Sequence, residues 1–300
     1  MVTYNSESVI LSCLESIQAS TVPSRIVVVD NGSTDATLDI IKRFPNIEIY
    51  SEANRGFAGG CNRGIQIAGS DYEAYFFLNP DARVTPTCLH LLMEALDEDA
   101  KFAVVSPTIF DPESGQVQYA GASLDFETMN FAVLTSQEIV SEGASRETGR
   151  PSGAAMLVRR TSLEVVGPMD DSYFLYWEEC EWAARFHSRG WKIGYVPSAE
   201  VFHSSSHSTG GTGSKVYEYY YTRNVLRLVS EYKHFSRPQG ILHVLPFIVR
   251  RLWTITSRRH VRRLLDAIRF DALGVLDFLR GRTGHRVGLP PISVPSPLPE

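Results

Sequence analysis

The chain has 300 residues, 43% hydrophobic and 21% charged, with a formal net charge of −5. These values are ordinary for a soluble globular protein, and no run of about 18 apolar residues is present, which predicts no transmembrane helix. The charge is uneven: residues 233–300 carry 12 Lys or Arg and 4 Asp or Glu, against 17 and 30 in residues 1–232, so an acidic body precedes a basic end suited to something anionic.

In chain order, Val2-Thr3-Tyr4 reads as the end of a strand. It is short against the five or six residues usual for a buried parallel strand, so a longer N-terminal strand is expected in the natural chain. Met1-Val2-Thr3-Tyr4-Asn5 enters folded-looking sequence at once, and no secretory leader is read there. Val9, Ile10, Cys13, Leu14 and Ile17 recur with helical period. Arg25-Ile26-Val27-Val28-Val29-Asp30 is β-branched and almost wholly apolar, as a buried parallel strand should be. Ser33 or Thr34 is expected to cap a helix with Leu38, Ile40 and Ile41 as its apolar contacts. Ile47-Glu48-Ile49-Tyr50 is a third strand, Gly56–Ala68 a glycine-rich turn into a helix, and Ala74–Leu78 a fourth strand. Asn79-Pro80-Asp81 ends that strand, since proline cannot donate to a ladder. It leaves an amide and a carboxylate at the carboxyl end of what reads as a central strand, the edge where open α/β sheets bind ligands. Thr85-Pro86 starts a helix to about Leu96, and Phe102-Ala103-Val104-Val105-Ser106 is a further strand. This βαβα order predicts an α/β fold with a doubly wound, mostly parallel sheet flanked by helices.

Residues 107–150 are less regular, with a hairpin-type turn at Asp111-Pro112-Glu113-Ser114-Gly115 and a mobile loop expected over 135–150. Regularity returns at Ala154-Ala155-Met156-Leu157-Val158. A helix over Glu178–Ser188, stopped by Gly190, precedes strands at 192–196 and 200–203 and a flexible loop at 204–214. From Lys215 onward the pattern is helical. The segments 238–257 and 259–280 interleave Leu, Ile, Phe and Trp with arginine, and 289–300 is a proline-rich tail. The organisation read from this is a body over 1–230, a basic helical extension over 231–284 and a tail over 285–300.

Cys13, Cys61, Cys88 and Cys180 show no CxxC spacing and no zinc pattern. Cys13 and Cys88 read as core, and so few unpatterned cysteines fit a reducing cytoplasm. Asp30-Asn31-Gly32-Ser33-Thr34-Asp35 sets polar side chains ahead of a helix, where they could read a nucleobase or ribose edge or simply cap the helix. Asn54-Arg55-Gly56-Phe57-Ala58-Gly59-Gly60-Cys61-Asn62-Arg63-Gly64 brings guanidinium groups suited to phosphate among small residues. It forms neither a Walker A loop nor a dinucleotide fingerprint.

Six segments in order carry a family resemblance over roughly residues 1–230. They are Thr3-Tyr4-Asn5; Val29-Asp30-Asn31-Gly32-Ser33-Thr34-Asp35; Asn54 to Asn62; Leu78-Asn79-Pro80-Asp81; Gly153 to Arg160; and Phe174-Leu175-Tyr176-Trp177-Glu178-Glu179-Cys180-Glu181-Trp182. Together they resemble family 2 glycosyltransferases of GT-A fold, and within them the bacterial rhamnosyltransferase branch. The resemblance implies an inverting, metal-dependent hexosyl transfer from a nucleotide sugar with Mg²⁺ or Mn²⁺. It places Thr3, Asp30, Asn31, Arg55, Asn79 and Asp81 at the nucleotide donor, with Asp81 facing metal and diphosphate. His203 is either a further metal ligand or a surface-loop histidine. The family's base position is an Asp after Glu; here it is Glu179 after Glu178, one methylene longer, and a base needs only hydrogen-bond reach, so Glu179 is the expected base with Glu178 as the other catalytic candidate. Glu181 stands four residues before Arg185 and can pair with it. With Asn79 neutral, one carboxylate would leave the ion leaning on donor phosphates.

The branch implies L-rhamnose from dTDP-rhamnose, with galactofuranose or another hexose as the alternative, and a lipid-linked or oligosaccharide acceptor of the cell envelope. Acceptor contacts are expected in 107–150 and the loops. Arg250, Arg251, Arg258, Arg259, Arg262, Arg263 and Arg269 among apolar residues suit an anionic membrane surface or a hairpin packed on the body. The corresponding expectation is a cytoplasmic protein, peripheral on the inner face of the membrane, with no nucleic-acid partner, since no recognition motif is present. A sugar-nucleotide pyrophosphorylase would need a glycine-rich basic N-terminal loop that this sequence lacks. A non-catalytic binding module would not need Asp81 together with a Glu178-Glu179 pair.

Overall fold

The computed structural model describes residues 1–135, 143–204, 214–256 and 261–289. Strands β1 (Val2–Thr3), β2 (Ile26–Asp30) and β3 (Ile47–Ser51) form a parallel sheet, with α1 (Ile10–Gln18) and α2 (Thr37–Ile41) between them and α3 (Gly56–Ala68) leading out. A larger sheet follows the path β4-β9-β6-β10-β5, with β7 on β6 and β8 on β10. Its strands are β4 (Ala74–Leu78), β5 (Ala82–Val84), β6 (Phe102–Phe110), β7 (Val117–Tyr119), β8 (Arg146–Thr148), β9 (Ala155–Arg159) and β10 (Lys192–His203). Because β9 is antiparallel to both β4 and β6, and β6 is parallel to β10, the strands β4, β6 and β10 all point one way. The doubly wound order thus runs on through one inserted reverse strand. Val104, Val105, Met156 and Val158 are fully buried at the centre, which is why these strands read as continuous apolar runs.

Helices α4 (Cys88–Glu98), α5 (Arg160–Val166) and α6 (Glu178–Ser188) flank this sheet. Several local expectations are corrected. β4 heads the larger sheet and does not lie within it. Thr85-Pro86 does not open a helix: Thr85 N and Oγ1 both bond to the Glu200 carbonyl, and α4 begins at Cys88. Neither Ser33 nor Thr34 caps α2, whose N-cap is Ala36. Ser33 accepts from Asn5 N, tying the two loops at the sheet edge. The two late strands are one, β10, with an irregularity between Val196 and Glu200. The segment 135–150 contains β8, paired with β10; residues 136–142 lie outside the described residues, as do 205–213 of the 204–214 loop and 290–300 of the tail. Cys13 and Cys88 are core, as expected; all four thiols are buried and free.

Helices α7 (Lys215–Tyr232), α8 (Arg237–Thr256) and α9 (Val261–Leu279) pack on one another. Arg251 does not belong to a basic surface. Its side chain is only 10% exposed, with Nη2 2.8 Å from Glu218 Oε2 on α7 and bonded to Asp271 on α9. Asp277, fully buried, is held by Arg282 at 3.0 Å, Arg286 at 2.9 Å and the Tyr219 hydroxyl at 2.9 Å.

Candidate active site

The carboxyl ends of β1, β2 and β4 open on a cleft of about 470 Å³, closed on the far side by the start of α6 and by Tyr217 of α7. Thr3, Asn31, Asn79, Asp81, Glu178, Glu179 and His203 line it. Asp30 and Arg55 do not. Asp30 is fully buried behind the wall: Oδ1 accepts from the Thr3 and Ser33 hydroxyls, and Oδ2 from Gly32 N, Ser33 N and Ser51 Oγ. Its carboxylate is saturated by the turn that presents Thr3 and Asn31. Arg55 is half exposed, 4.0 Å from Glu52. The backbone on either side is what reaches the cleft, since Asn54 and Gly56 line it. Asn31 spans this junction, donating to the Gly56 carbonyl at 3.1 Å and accepting from Arg55 N.

The register of β5 with β10 sets the second wall. His203 pairs with Ala82, and Ser204 N donates to the Asp81 carbonyl, so residues 122 apart in sequence meet side by side. His203 Nε2 lies 3.1 Å from Asp81 Oδ1, which accepts no hydrogen bond although it is buried. The other ring nitrogen, Nδ1, is 3.4 Å from Gln118 Oε1. The amide of Gln118 is oriented by its own donations to Asp111 and to the His203 carbonyl, each 3.0 Å. With Nδ1 facing an acceptor, Nε2 keeps its lone pair toward Asp81, and two lone pairs that close call for a cation or a proton between them. Donor atoms on neighbouring corners of an octahedral Mg²⁺ site, at about 2.1 Å from the ion, stand about 3 Å apart. The pair therefore fits two positions of a hard-cation site. Among the described residues no third His, Cys, Asp or Glu joins them, so further ligands would be phosphate oxygens and water.

The glutamates arrive from a strained turn. Phe174, Tyr176 and Trp177 have φ of 68°, 64° and 73°, a region that costs roughly 1–3 kcal/mol per non-glycine residue. The side-chain amide of Asn224 on α7 holds them by donating to the carbonyls of Tyr173, Leu175 and Tyr176 at 2.9, 2.7 and 3.0 Å. Gly56 holds the turn from the other side. Its φ is 74°, and a Cβ there would fall 2.1 Å from the Phe174 carbonyl oxygen. The turn ends at the N-terminus of α6, where Glu178 and Glu179 diverge. Glu178 is buried, its Oε2 has no hydrogen-bond partner, and burial with help from the Glu179 charge pushes its carboxyl well above the usual range. Glu179 reaches the cleft, its side chain 18% exposed and its Oε1 3.5 Å from Arg150 Nη1. Glu181 pairs with Arg185 at 2.6 Å and does not line the cleft.

Arg150, Gln118 and Asn224 were not singled out from the sequence. Nothing in their spacing marks them, because each is brought to the site by a pairing or packing contact far along the chain.

Over 212 residues, 63% of this chain and 69% of the relative, it is 31% identical to N-acetylglucosaminyl-diphospho-decaprenol L-rhamnosyltransferase of Mycobacterium tuberculosis. Over 218 residues, 69% of this chain and 65% of the relative, it is 27% identical to the O-antigen chain rhamnosyltransferase RfbN of Salmonella typhimurium. The fold is similar to that of the mannosyltransferase PcManGT of Pyrobaculum calidifontis, solved in complex with GDP-Man and Mn²⁺, with a TM-score of 0.55 and 16% identity over 93% of this chain and 80% of that one. The GT-A type fold is therefore shared, with the helices α7–α9 added at its C-terminal end. The model for Glycosyl transferase family 2 matches residues 1–167, more than half of the chain, and the chain belongs to that family.

Proposed function

We propose that this glycosyltransferase moves a sugar from a nucleotide donor to an acceptor hydroxyl with inversion, Glu179 acting as general base. One observation carries the reading: the Asp81–His203 pair and the Glu179 carboxylate line the same cleft from different strands and helices. A donor whose diphosphate lies against Asp81 and His203, with its nucleoside toward Thr3 and Asn31, leaves the far face of its sugar open to an acceptor next to Glu179. The acceptor oxygen bonds to the anomeric carbon, its proton passes to Glu179, and the sugar–phosphate bond breaks with its electron pair leaving on the nucleoside diphosphate. Asp81 and His203 would hold Mg²⁺ or Mn²⁺, which when bound neutralises charge on the departing diphosphate. Glu178 is buried, with its carboxyl pushed well above the usual range, which favours Glu179 as the base.

The donor we propose is dTDP-L-rhamnose, with another hexose donor such as galactofuranose as the alternative. Two relatives named as rhamnosyltransferases support it. The printed name of the M. tuberculosis relative carries a diphospho-decaprenol acceptor, which supports a lipid-linked glycan of the cell envelope here. The test is a panel of nucleotide sugars with Mg²⁺ or Mn²⁺ and a membrane lipid extract, comparing the wild type with Glu179→Gln and Asp81→Ala. Glu179→Gln should bind donor normally and lose about 10²–10⁴ in kcat, and Asp81→Ala should lose metal-dependent donor binding. Full turnover by Glu179→Gln removes the base assignment. Release of a nucleoside triphosphate when pyrophosphate is supplied would move the chain to the pyrophosphorylases.

A further inference from the structure

Helices α8 and α9 lie side by side against α7, so each has an inward and an outward face. Beyond its exposed first turn, Arg237, Pro238 and Gln239, the exposed positions described on α8 are Leu242, Leu245, Pro246, Val249 and Arg250, the i, i+3, i+4, i+7, i+8 stripe of one helix face. On α9 the matching stripe is Leu265, Ile268, Arg269, Ala272, Leu276 and Leu279, with Arg280 beside it. Leu242 is 72% exposed and Leu265 62%. Single exposed leucines are ordinary, but a stripe repeated on two adjacent helices is not. The carboxylates of α9 go the other way. Asp271 and Asp277 are buried in the ion pairs with Arg251, Arg282 and Arg286, and the half-buried Asp266 faces Lys215 at 3.7 Å. Among the described residues the two outward stripes therefore carry aliphatic side chains and guanidinium groups and no carboxylate.

We infer that the paired outward faces of α8 and α9 seat this enzyme on an anionic lipid surface. The helices lie in the headgroup plane, the leucines reach the acyl boundary, and Arg250, Arg269 and Arg280 meet lipid phosphates. Charge selects this occupant. A second copy docked face to face would set arginine against arginine with no acid to meet it, and a polyanion without an apolar phase would leave the leucines wet. Only an anionic bilayer answers both components. No described helix is long and apolar enough to cross a membrane, and the inferred contact is with its surface. The seat deepens the proposed function, resting on it only for the point that a lipid-linked acceptor lies at the same surface.

The test is co-sedimentation of the full chain with vesicles of phosphatidylcholine alone and of phosphatidylcholine mixed with phosphatidylglycerol, at physiological salt. The wild type should pellet with the mixed vesicles and stay in solution with phosphatidylcholine alone. Leu242→Asp with Leu265→Asp should weaken binding at least about tenfold. Arg250→Gln with Arg269→Gln should weaken it roughly fivefold per arginine. All four positions are exposed, so far-UV circular dichroism and the unfolding temperature should not change. The inference is overturned if the wild type ignores the mixed vesicles, if the aspartate variants bind as well as the wild type, or if sedimentation velocity shows a dimer that those variants dissociate. Vesicle binding needs no sugar transfer, and donor binding is measured separately by calorimetry without lipid. Loss of one with retention of the other identifies which reading has failed.

Discussion

Glu178 and Glu179 are adjacent in sequence and opposite in surroundings. The first turn of α6 brings both to the cleft, Glu178 buried in its wall and Glu179 more open, since successive helical residues are about 100° apart. For Glu178 the consequence is a linkage. Its folded-state pKa is raised above the ordinary 4.5, so between that value and the raised one the folded protein binds a proton that the unfolded chain releases. Its contribution to stability is full below about pH 4.5 and is lost as pH rises through the folded value, at about 1.4 kcal/mol per unit of separation. Glu178→Gln removes the slope. Chemical denaturation should find the variant equal to the wild type near pH 4 and more stable near pH 7, and it should retain turnover, unlike Glu179→Gln. A variant that loses stability at pH 7 would show that Glu178 is ionised in the fold.

At the scale of elements, the strained turn 174–177 is held by two others, α3 through Gly56 and α7 through Asn224. Three non-glycine residues at positive φ persist because the carbonyls along the turn have fixed donors, Asn224 for Tyr173, Leu175 and Tyr176 and the Phe57 amide for Phe174. Asn224→Ala leaves the Leu175 and Tyr176 carbonyls without this donor, while Arg223 still donates to Tyr173, and should cost about 3 kcal/mol, read as a lower denaturation midpoint. Because the same turn aims Glu179, kcat should fall more than KM for the donor rises. A variant with a lowered midpoint and unchanged kcat would separate the clamp from the site. Asn224 lies seven residues beyond Tyr217, two turns along α7, so the helix that closes the cleft also holds the turn that presents Glu179, the proposed base.

For the molecule as a whole, the basic end divides into an inward and an outward set of arginines. Among the described residues Arg251 faces inward. It joins α7, α8 and α9 through Glu218 and Asp271 with little access to water. Removing it strands two buried carboxylates, which is far more damaging than loss of a surface pair. Arg251→Met should lower stability by about 3–5 kcal/mol, whereas Arg250→Gln, one residue earlier and exposed, should leave the unfolding temperature unchanged. Equal effects in the two variants would mean that the ion cluster does not hold the helices. The division also explains why the charge asymmetry of residues 233–300 overstates the basic surface: part of it is spent inside, against acids of the same helices and of α7.

Much of the fold was legible in the order of residues. The apolar runs at β2, β4 and β6, the proline after β4 and the glycine after α6 act within a few residues of themselves, and backbone preference with hydrophobic period is enough to read them. Asp81 and Glu179 were legible as candidates because each stands at the end of an element, and the structure brings both to one cleft. What the sequence could not show depends on pairings between distant segments. The reverse direction of β9, the saturation of Asp30, the approach of His203 to Asp81 and the burial of Glu178 but not Glu179 each require a partner far along the chain. Local propensity carries no information about such partners, since burial, register and the direction in which a charge faces exist only once the sheets and helices have packed.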